Sequence, residues 1–345
     1  MAPRFRIRPY NLDDTGFIMG DEKMKKELSY YEMTQIIDDV KGYFEKQLAS
    51  ELSLVKVQSP LFVKTDSGLQ DALTGVEKAI TFEKDGEQFE IVHSLAKWKR
   101  DALSRYGFPM HTGLYTDMKA IRKDETVDNI HSLFVEQWDW EKIISKDDRN
   151  IEYLKDTVKS IYRVVKKTLT YIKRKYACID MKLPKEIYFI TSQELENRYS
   201  DFTPKEREEL IAKEKGAVFI IEIGDKLSSG VEHDLRSPDY DDWHLNGDML
   251  IYDDVLEEAI EITSMGIRVD EESLISQLKK ANCLDRLAMP YHKKIINKEL
   301  PYTIGGGIGE SRILLLLLGK KHIASVQASS WQTKTLAKLT SEMVL

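Results

Sequence analysis

A glycine-rich stretch that ends in an arginine is the clearest candidate for chemistry in this sequence. Residues 302–312 read Tyr-Thr-Ile-Gly-Gly-Gly-Ile-Gly-Glu-Ser-Arg, and an isoleucine with five leucines follows. Glycine lets another group approach the backbone closely, and the apolar run predicts a buried helix. Backbone N–H groups, a helix N-terminus and the guanidinium of Arg312 could together bind a polyanion. The stretch matches neither a P-loop nor a dinucleotide-binding fingerprint, so a structural glycine turn is an equally good interpretation.

Charged residues in apolar, strand-like segments point to the same chemistry, because a buried charge needs a partner. Arg268 stands between an isoleucine and a valine, and Asp248 and Glu261 stand at or within predicted strands. Two carboxylates that face one pocket would suit Mg²⁺, which prefers oxygen ligands and is often shared with phosphates. Arg122, Arg268 and Arg312 could then contact a nucleoside triphosphate from different sides. Nucleotidyl transfer requires this combination of positioning and charge neutralisation.

Other charged residues of the same segments are predicted to be ordinary surface charge, the commonest environment of such side chains. This prediction covers Lys97, Lys119, Lys123, Asp239 and Asp242. They stand in dense runs of charge at 97–100, 118–125 and 233–242. No role in the site is predicted from their pattern.

The elements that must position the candidate residues follow from the spacing of apolar side chains. Helices are predicted over 29–52, 94–105, 150–177, 203–216, 271–280 and 313–318. Strands are predicted over 55–60, 89–93, 132–138, 187–191, 217–223, 249–252 and 260–269. No repeat, low-complexity tract or linker divides the chain. The sequence therefore predicts an extension at 1–28 and one α+β domain at 29–345, with several non-sequential antiparallel strands.

The composition is that of a globular protein, and it narrows the possible partners. The chain has 345 residues, of which 42% are hydrophobic and 32% charged, and its net charge is −7. This charge disfavours broad nucleic-acid binding, which needs a basic footprint. Two cysteines without metal spacing, and a basic N-terminus without an apolar core, predict a cytoplasmic rather than a secreted protein. No apolar run reaches membrane length, so no membrane partner is expected.

Many short phrases, in order, resemble the ammonia-dependent asparagine synthetases, also called aspartate–ammonia ligases. The resemblance extends from about Met33 to about Gln327. The phrases that carry it lie at 70–71, 75–79, 93–100, 113–116, 136–141, 192–195, 213–219, 238–243, 245–248, 264–269 and 305–312. That family in turn resembles the catalytic core of class II aminoacyl-tRNA synthetases, above all the aspartyl and asparaginyl enzymes. The resemblance implies an antiparallel β-sheet flanked by helices, and a homodimer formed through the first helix and Pro60.

The resemblance also implies a reaction in two steps. The β-carboxylate of L-aspartate attacks the α-phosphorus of ATP, which gives β-aspartyl-AMP and pyrophosphate. Ammonia then attacks the acyl carbon and gives L-asparagine and AMP. The implied partners are therefore L-aspartate, ATP and ammonia, with Mg²⁺ as the cofactor and no tRNA.

Roles for the nucleotide-binding residues follow from the same resemblance. Arg122 is implied to contact the α-phosphate, and Arg312 to lie near the adenine and the γ-phosphate. Arg268 is implied to face the outer phosphates. Ser264 and Gly307 complete the ATP site by resemblance. The Mg²⁺ ligands are implied to be Asp248 and Glu261.

The aspartate site is likewise implied by resemblance. It comprises Asp71, Ser94, Lys99, Gln137, Asp139, Arg236 and Asp241. Lys99 and Arg236 are candidates for the substrate's α-carboxylate, and Gln137, Asp139 and Asp241 for its ammonium group. Asp71 is implied to lie near the reacting carboxyl group, where it could receive ammonium and take its proton. The residues implied to act in catalysis are Asp71, Lys99, Arg122 and Arg312.

The sequence departs from the family pattern in three places. The extension at 1–28 has no implied role. Thr263 stands where the family has the first of two serines, and it keeps the hydroxyl group, so activity is expected to survive. The segment between Trp243 and Leu245 is much shorter than in bacterial relatives, so no lid function is carried over to it.

Three alternative functions fit the sequence less well. A glutamine-dependent synthetase would need a cysteine nucleophile, yet residue 2 is alanine, and neither Cys178 nor Cys283 has an evident nucleophile setting. A tRNA-aminoacylating enzyme would be expected to carry an anticodon-binding domain and a less acidic chain. A catalytically silent sensor of amino acid or adenylate would be expected to lack charged pocket residues. All of these are present: Arg122, Gln137, Asp248, Glu261, Arg268 and Arg312.

Overall fold

The computed structural model describes residues 28–74, 77–176, 179, 181–339 and 344–345. The predicted extension at 1–28 lies outside these ranges except for Leu28. Cys178 and the first two residues of the phrase at 75–79 also lie outside them. The single domain at 29–345 stays a prediction.

A large mixed sheet occupies the centre of the described chain. In chain order the strands are β1 (Leu54–Lys56), β2 (Phe62–Lys64), β3 (Thr81–Lys84), β4 (Glu87–Ile91), β5 (Gly113–Ile121), β6 (Phe134–Ile143), β7 (Tyr188–Thr191), β8 (Ala217–Ile221), β9 (Asp241–Asp253), β10 (Glu258–Arg268) and β11 (Thr303–Gly309). Eight of them form one sheet in the order β1-β5-β6-β11-β10-β9-β8-β7. Only the two edge strands pair in parallel, β1 with β5 and β7 with β8. The predicted antiparallel α+β architecture is therefore confirmed.

Helices cover the sheet, and three short strands form a small second sheet in the order β2-β4-β3. The helices are α1 (Tyr30–Leu52), α2 (Ala96–Arg105), α3 (Ile151–Lys175), α4 (Ser192–Arg198), α5 (Pro204–Lys215), α6 (Glu271–Lys280), α7 (Pro290–Ile296), α8 (Glu310–Leu317) and α9 (Thr333–Leu336). None of these helices is long and apolar enough to cross a membrane, in a search of the described residues alone.

Helices α1 and α3 pack on one face of the sheet, which is called the back face below. Ser29 caps α1 through a reciprocal pair of hydrogen bonds with Glu32, which satisfies N–H groups that the first turn leaves free. Phe44 is fully buried and stacks on Trp138 of β6, with ring centroids 4.3 Å apart. This stacking joins α1 to the middle of the sheet.

The glycine-rich stretch is a central strand, β11, and this corrects the interpretation of it as a loop or turn. It pairs with β6 on one side and with β10 on the other. A side chain on Gly305 would collide with Glu141, and one on Gly306 with Met265 at 2.5 Å. Glycine is unfavourable in most strands, so the pattern alone predicts a turn. The buried helix predicted after the stretch is confirmed as α8.

Several other predicted elements are confirmed with shifted ends. Helix α6 has the predicted bounds, and α5 begins after Thr203, which caps it through Glu206 as its sequence predicts. Strand β9 begins eight residues before the predicted 249–252, and β10 begins two residues before the predicted 260–269. The short segment between Trp243 and Leu245 lies inside β9. The sequence interpretation did not assign strands β2, β3 and β5 or helices α4, α7 and α9.

Replacement of Phe44 by alanine tests the packing of α1 on the sheet. Phe44→Ala is expected to lower the free energy of unfolding by about 3–5 kcal/mol, because it leaves a cavity beside Trp138. Urea unfolding followed by fluorescence measures this change. Arg174→Ala, at an exposed position of α3, is the control and is expected to change stability by less than about 0.5 kcal/mol. Equal stability of the two variants would contradict the packing argument.

Candidate active site

A cavity of about 360 Å³ opens on the front face of the sheet, opposite α1 and α3. Side chains of a strand alternate between the two faces. On β6, Gln137 and Asp139 therefore reach the cavity, whereas Trp138 and Trp140 belong to the hydrophobic core on the back face. The start of α2, the strands β10 and β11, and the start of α8 form the other walls.

Most of the residues implied by resemblance line this one cavity. They are Ser94, Lys99, Arg122, Gln137, Asp139, Arg236, Asp241, Glu261, Ser264, Arg268, Gly307 and Arg312. These residues are spread over more than two hundred positions of the chain, so the fold alone brings them together. Of the residues implied by resemblance, Asp71 and Asp248 do not line the cavity itself. Both are buried, at 0% and 4% exposure.

One end of the cavity has pairs of opposite charges. The Lys99 ammonium is bound to the Asp139 carboxylate and donates to the backbone oxygen of Trp140 at 2.9 Å. Asp139 also accepts a hydrogen bond from the Leu95 N–H at 3.2 Å, at the start of α2. Lys99 is 1% exposed and Asp139 2%. A zwitterionic ligand could exchange with this pair, because it offers one group of each charge.

Arg268 forms a second buried ion pair, with carboxylates from two other strands. Its Nε and Nη2 donate to the two oxygens of Glu141 at 2.9 and 2.7 Å, and its Nη1 contacts Asp241. Burial favours the neutral carboxyl, but Arg268 and Lys99 together hold the pKa of Glu141 below its usual value. Its role toward the outer phosphates stays a prediction, since both forks of the guanidinium already have carboxylate partners.

Glu141 was not among the residues implied for the site. The sequence signal was present in the phrase at 136–141, where a glutamate interrupts a strand that is otherwise largely buried. A fully buried carboxylate needs a cation, and Arg268 is that cation. Two charged residues at core positions predict that a buried ion pair exists. The sequence alone does not predict which two residues form it.

Asp71 lies behind the wall of the cavity and caps helix α2 from a distant part of the chain. Its carboxylate accepts hydrogen bonds from the Ser94 hydroxyl at 2.9 Å and from the Ala96 N–H at 2.6 Å. Burial raises the pKa of Asp71 to about 6, against the opposing effect of the nearby Lys97 ammonium. The carboxyl is therefore able to exchange a proton close to neutral pH. Ser94 connects it to the cavity.

The surface interpretation of Lys97, Asp239 and Asp242 is wrong, because each side chain is buried against an opposite charge. Lys97 lies 2.9 Å from Asp239, and Asp239 also contacts the imidazole of His292 at 3.0 Å. Asp242 contacts Arg149 at 2.9 Å. These partners are distant in sequence, so a local pattern of charges does not reveal them.

The same interpretation is confirmed for the two lysines near β5. The side chains of Lys119 and Lys123 are 49% and 40% exposed. They stand beside Glu136 and Asp124, at 3.5 and 3.7 Å. Such exposed pairs contribute little to stability.

The other end of the cavity carries two guanidinium groups without a full set of partners. Arg122 forms no ion pair with any described residue, and its Nε is buried without a hydrogen-bond partner. Burial, and then the nearby Arg312, lower the pKa of the Arg122 guanidinium. Arg312 donates to the backbone oxygen of Glu261 at 3.0 Å and lies 3.7 Å from its carboxylate. Two cations that repel each other in a confined space favour an anionic ligand between them.

Asp248 and Glu261 fit a divalent cation at this end. Asp248 is bound to Arg236, but its Oδ1 is buried and has no hydrogen-bond partner among the described residues. Burial, and next the Glu261 carboxylate, raise the pKa of Asp248 to about 7 against the opposing effect of Arg236. An unpaired carboxylate oxygen close to a second carboxylate is the donor set that Mg²⁺ prefers.

Solved structures with a similar fold are class II aminoacyl-tRNA synthetases. The asparaginyl-tRNA synthetase of Entamoeba histolytica matches with a TM-score of 0.61 and 15% identity, over 86% of this chain and 66% of that one. The Pyrococcus horikoshii asparaginyl-tRNA synthetase, complexed with asparaginyl-adenylate, matches with a TM-score of 0.61 and 13% identity, over 85% and 67%. The sheet and its helices therefore define the class II synthetase catalytic-core fold.

The sequence comparisons identify the family within that class. A family model described as aspartate-ammonia ligase matches residues 31–343. The aspartate–ammonia ligase of Fusobacterium nucleatum is 60% identical over 296 residues, which are 86% of this chain and 90% of that protein. That of Clostridium perfringens is 58% identical over 310 residues, 89% of this chain and 92% of that protein. The chain belongs to the aspartate–ammonia ligase family, as its phrases predict.

Replacement of Arg122 by methionine tests whether its guanidinium is held ready for an anion. Because no described residue forms an ion pair with this charge, Arg122→Met is expected to raise the thermal midpoint of the ligand-free protein by about 2 °C. Added pyrophosphate is expected to stabilise the wild type but not this variant. Differential scanning fluorimetry measures both effects, with Lys123→Met as the control at an exposed neighbouring position. Equal stabilisation of Arg122→Met by pyrophosphate would contradict the assignment.

Proposed function

We propose that this protein is an AMP-forming aspartate–ammonia ligase, which makes L-asparagine from L-aspartate, ammonia and ATP. The single observation that carries the proposal is the division of one cavity into two ends. One end presents paired opposite charges suited to an amino acid, and the other presents two guanidinium groups suited to phosphates. Family membership supports the same reaction, since the relatives are named for it.

The chemistry explains why both ends are needed. A carboxylate is a poor acyl electrophile until it carries a good leaving group, and AMP is such a group. Attack of the substrate β-carboxylate on the α-phosphorus builds negative charge on the phosphate oxygens. Arg122, which forms no ion pair with a carboxylate in the described part of the chain, would stabilise that charge. Arg312 would hold the nucleotide from the other side, with Ser264 and Gly307 beneath it.

Asp248 and Glu261 would hold Mg²⁺, a proposal supported by the Oδ1 of Asp248, which has no hydrogen-bond partner among the residues that the structure describes. The ion would neutralise phosphate charge and favour departure of pyrophosphate. Arg268, if it also serves the outer phosphates, would have to share its guanidinium with Glu141 and Asp241. We therefore propose that the main role of Arg268 is to stabilise the floor of the cavity through these ion pairs.

The amino-acid end would bind aspartate by exchange of ion pairs. The substrate α-carboxylate would approach Lys99 and Arg236, and its ammonium group would approach Asp139 and Asp241. Gln137 lines the same cavity from β6. Since each of these charges already has an internal partner, binding replaces pairs without leaving a buried charge uncompensated.

Asp71 would serve the second step. With a pKa raised to about 6, it is mostly ionised at neutral pH and can accept a proton from ammonium. Asp71 accepts a hydrogen bond from Ser94, which lines the cavity, and this contact supports a role for Asp71 near the reacting carboxyl group. Ammonia would then attack the acyl carbon and release AMP.

The remaining features of the proposal concern the whole molecule. We propose a homodimer formed through α1 and the segment around Pro60, a single catalytic domain at 29–345, and a cytoplasmic location. The proposed reaction requires no tRNA, because ammonia accepts the acyl group. The partly exposed segment at 57–60 beside α2 is consistent with a dimer contact.

The product assay tests the function directly. Purified protein with aspartate, ATP, Mg²⁺ and ammonium is expected to release asparagine, AMP and pyrophosphate in equal amounts. Glutamine in place of ammonium is expected to give no asparagine, because no cysteine nucleophile is implied. Release of ADP would overturn the proposal. Transfer of aspartate to tRNA would favour the aminoacylating alternative, and ligand binding without turnover would favour a sensor.

The proton acceptor can be tested by the pH dependence of the second step. A carboxyl group with a pKa of about 6 is mostly ionised above that pH, and only the ionised form can accept a proton. Asparagine formation is therefore expected to fall as the pH decreases through 6. Asp71→Asn is expected to remove this dependence and to slow asparagine formation by about 100-fold. Its aspartate-dependent exchange of pyrophosphate into ATP should fall much less. Assays at equal concentrations of free ammonia separate the enzyme's titration from that of ammonium.

Equal loss of exchange and of asparagine formation in Asp71→Asn would contradict the ammonia role. It would indicate instead that the carboxylate acts only as the cap of α2. Ser94→Ala, which removes one hydrogen bond to the same carboxylate, is the matched variant. Its rate of asparagine formation should still fall as the pH decreases through about 6.

A further inference from the structure

Three carboxylates converge on the back face of the sheet, and one of them, Glu136, is also among the residues that line the cavity. They belong to Asp117 of β5, Glu136 of β6 and Glu310, the first residue of α8. One oxygen of each lies within 4.8 Å of the others. Glu310 is 2% exposed, and its Oε1 is buried without a hydrogen-bond partner among the described residues. Like charges this close repel each other, so the cluster requires positive charge.

Lysines supply that charge from two sides. Lys41 of α1 lies 2.8 Å from Glu310 Oε2 and 3.6 Å from Glu136 Oε1. Lys119 of β5 lies 3.5 Å from the same oxygen of Glu136, but its side chain is 49% exposed. Lys41 is therefore the cation that meets the buried member of the cluster.

Two residues of the cluster lie within two positions in the chain of residues proposed to bind the ligands. Glu310 begins α8, and Arg312 lies two residues further along the same first turn. Glu136 precedes Gln137 on β6, and the two side chains leave the strand on opposite sides. A shift of Glu310 or Glu136 would therefore move a residue at each end of the cavity.

We propose that Lys41 is a positioning residue for the ligase reaction: its ammonium group holds Glu310 and Glu136, and through them sets Arg312 and Gln137. The proposal rests on the function proposed above. It makes α1 a part of the catalytic apparatus, although no residue of α1 lines the cavity among those described. It also explains why a buried carboxylate begins α8, where the helix dipole favours negative charge.

The charged groups that face Glu310 are Lys41 from α1, Asp117 from β5 and Glu136 from β6, with Lys119 behind Glu136. Burial raises the pKa of Glu310 to about 7 even with Lys41 in place. Without Lys41 the pKa of Glu310 would rise further, because the two remaining carboxylates also favour its protonated form. At lower pH the proton would then take the place of the lysine charge.

Four variants test the proposal in the product assay, on the full-length protein. Lys41→Met is expected to reduce kcat/KM for ATP by about tenfold at pH 8, a size typical of coupling through packed side chains. Lys41→Arg should restore most of the loss, because it keeps the charge. Lys41→Met with Glu310→Gln should also recover, since one of the repelling carboxylates is gone. Lys46→Met, on the same helix and exposed, is the control and should match the wild type.

The pH profile separates positioning from loss of stability. The ratio of Lys41→Met to wild-type kcat/KM should improve as the pH falls from 8.5 to 6.5, whereas the ratio for the double variant should be independent of pH. A ratio that does not change with pH, or a double variant no better than Lys41→Met, would overturn the proposal. If the wild type makes no asparagine, the proposed function fails first. If the wild type is active and Lys41→Met equals it, only this inference fails.

Discussion

The buried ion pairs of Arg268 are the interaction on which the rest of the site depends. They bring together Arg268 from β10, Glu141 from β6 and Asp241 from β9. β11 runs between β6 and β10, so the contact crosses a strand that must not obstruct it. Glycine at 305 leaves this space free, since a side chain there would meet both Glu141 and Arg268. The glycine strand and the charge network therefore require each other.

Buried charges are costly to desolvate, and here the apolar back face compensates for them. A continuous core joins α1, α3 and α8 to the undersides of the same strands. That core holds the strand spacing on which the ion pairs depend. The pairs themselves contribute less to stability than an apolar core would, yet breaking one would leave a charge without a partner. We infer that they are kept for the ligands that exchange with them.

Much of the fold could be predicted from the sequence because local signals decide it. The cap at Thr203, the helix at 271–280 and the buried helix after residue 309 all follow from short patterns. The strand at 303–309 could not be predicted, because its glycines are explained only by side chains from β6 and β10. The same reason accounts for Lys97 and Asp239, whose pairing joins positions far apart in the chain. Which residues share the cavity followed from family resemblance, and the pairs among them only from the structure.

The capping of α2 by Asp71 has a consequence for how the site can change. Lys99 lies on that helix, three residues after the helix's first, so the acid and the lysine belong to one rigid unit. A ligand that displaces Lys99 would therefore also strain the hydrogen bonds that Asp71 accepts. Neither group can be relocated alone, whether by evolution or by redesign for another acyl acceptor. A new specificity at this end would have to move the helix as a whole.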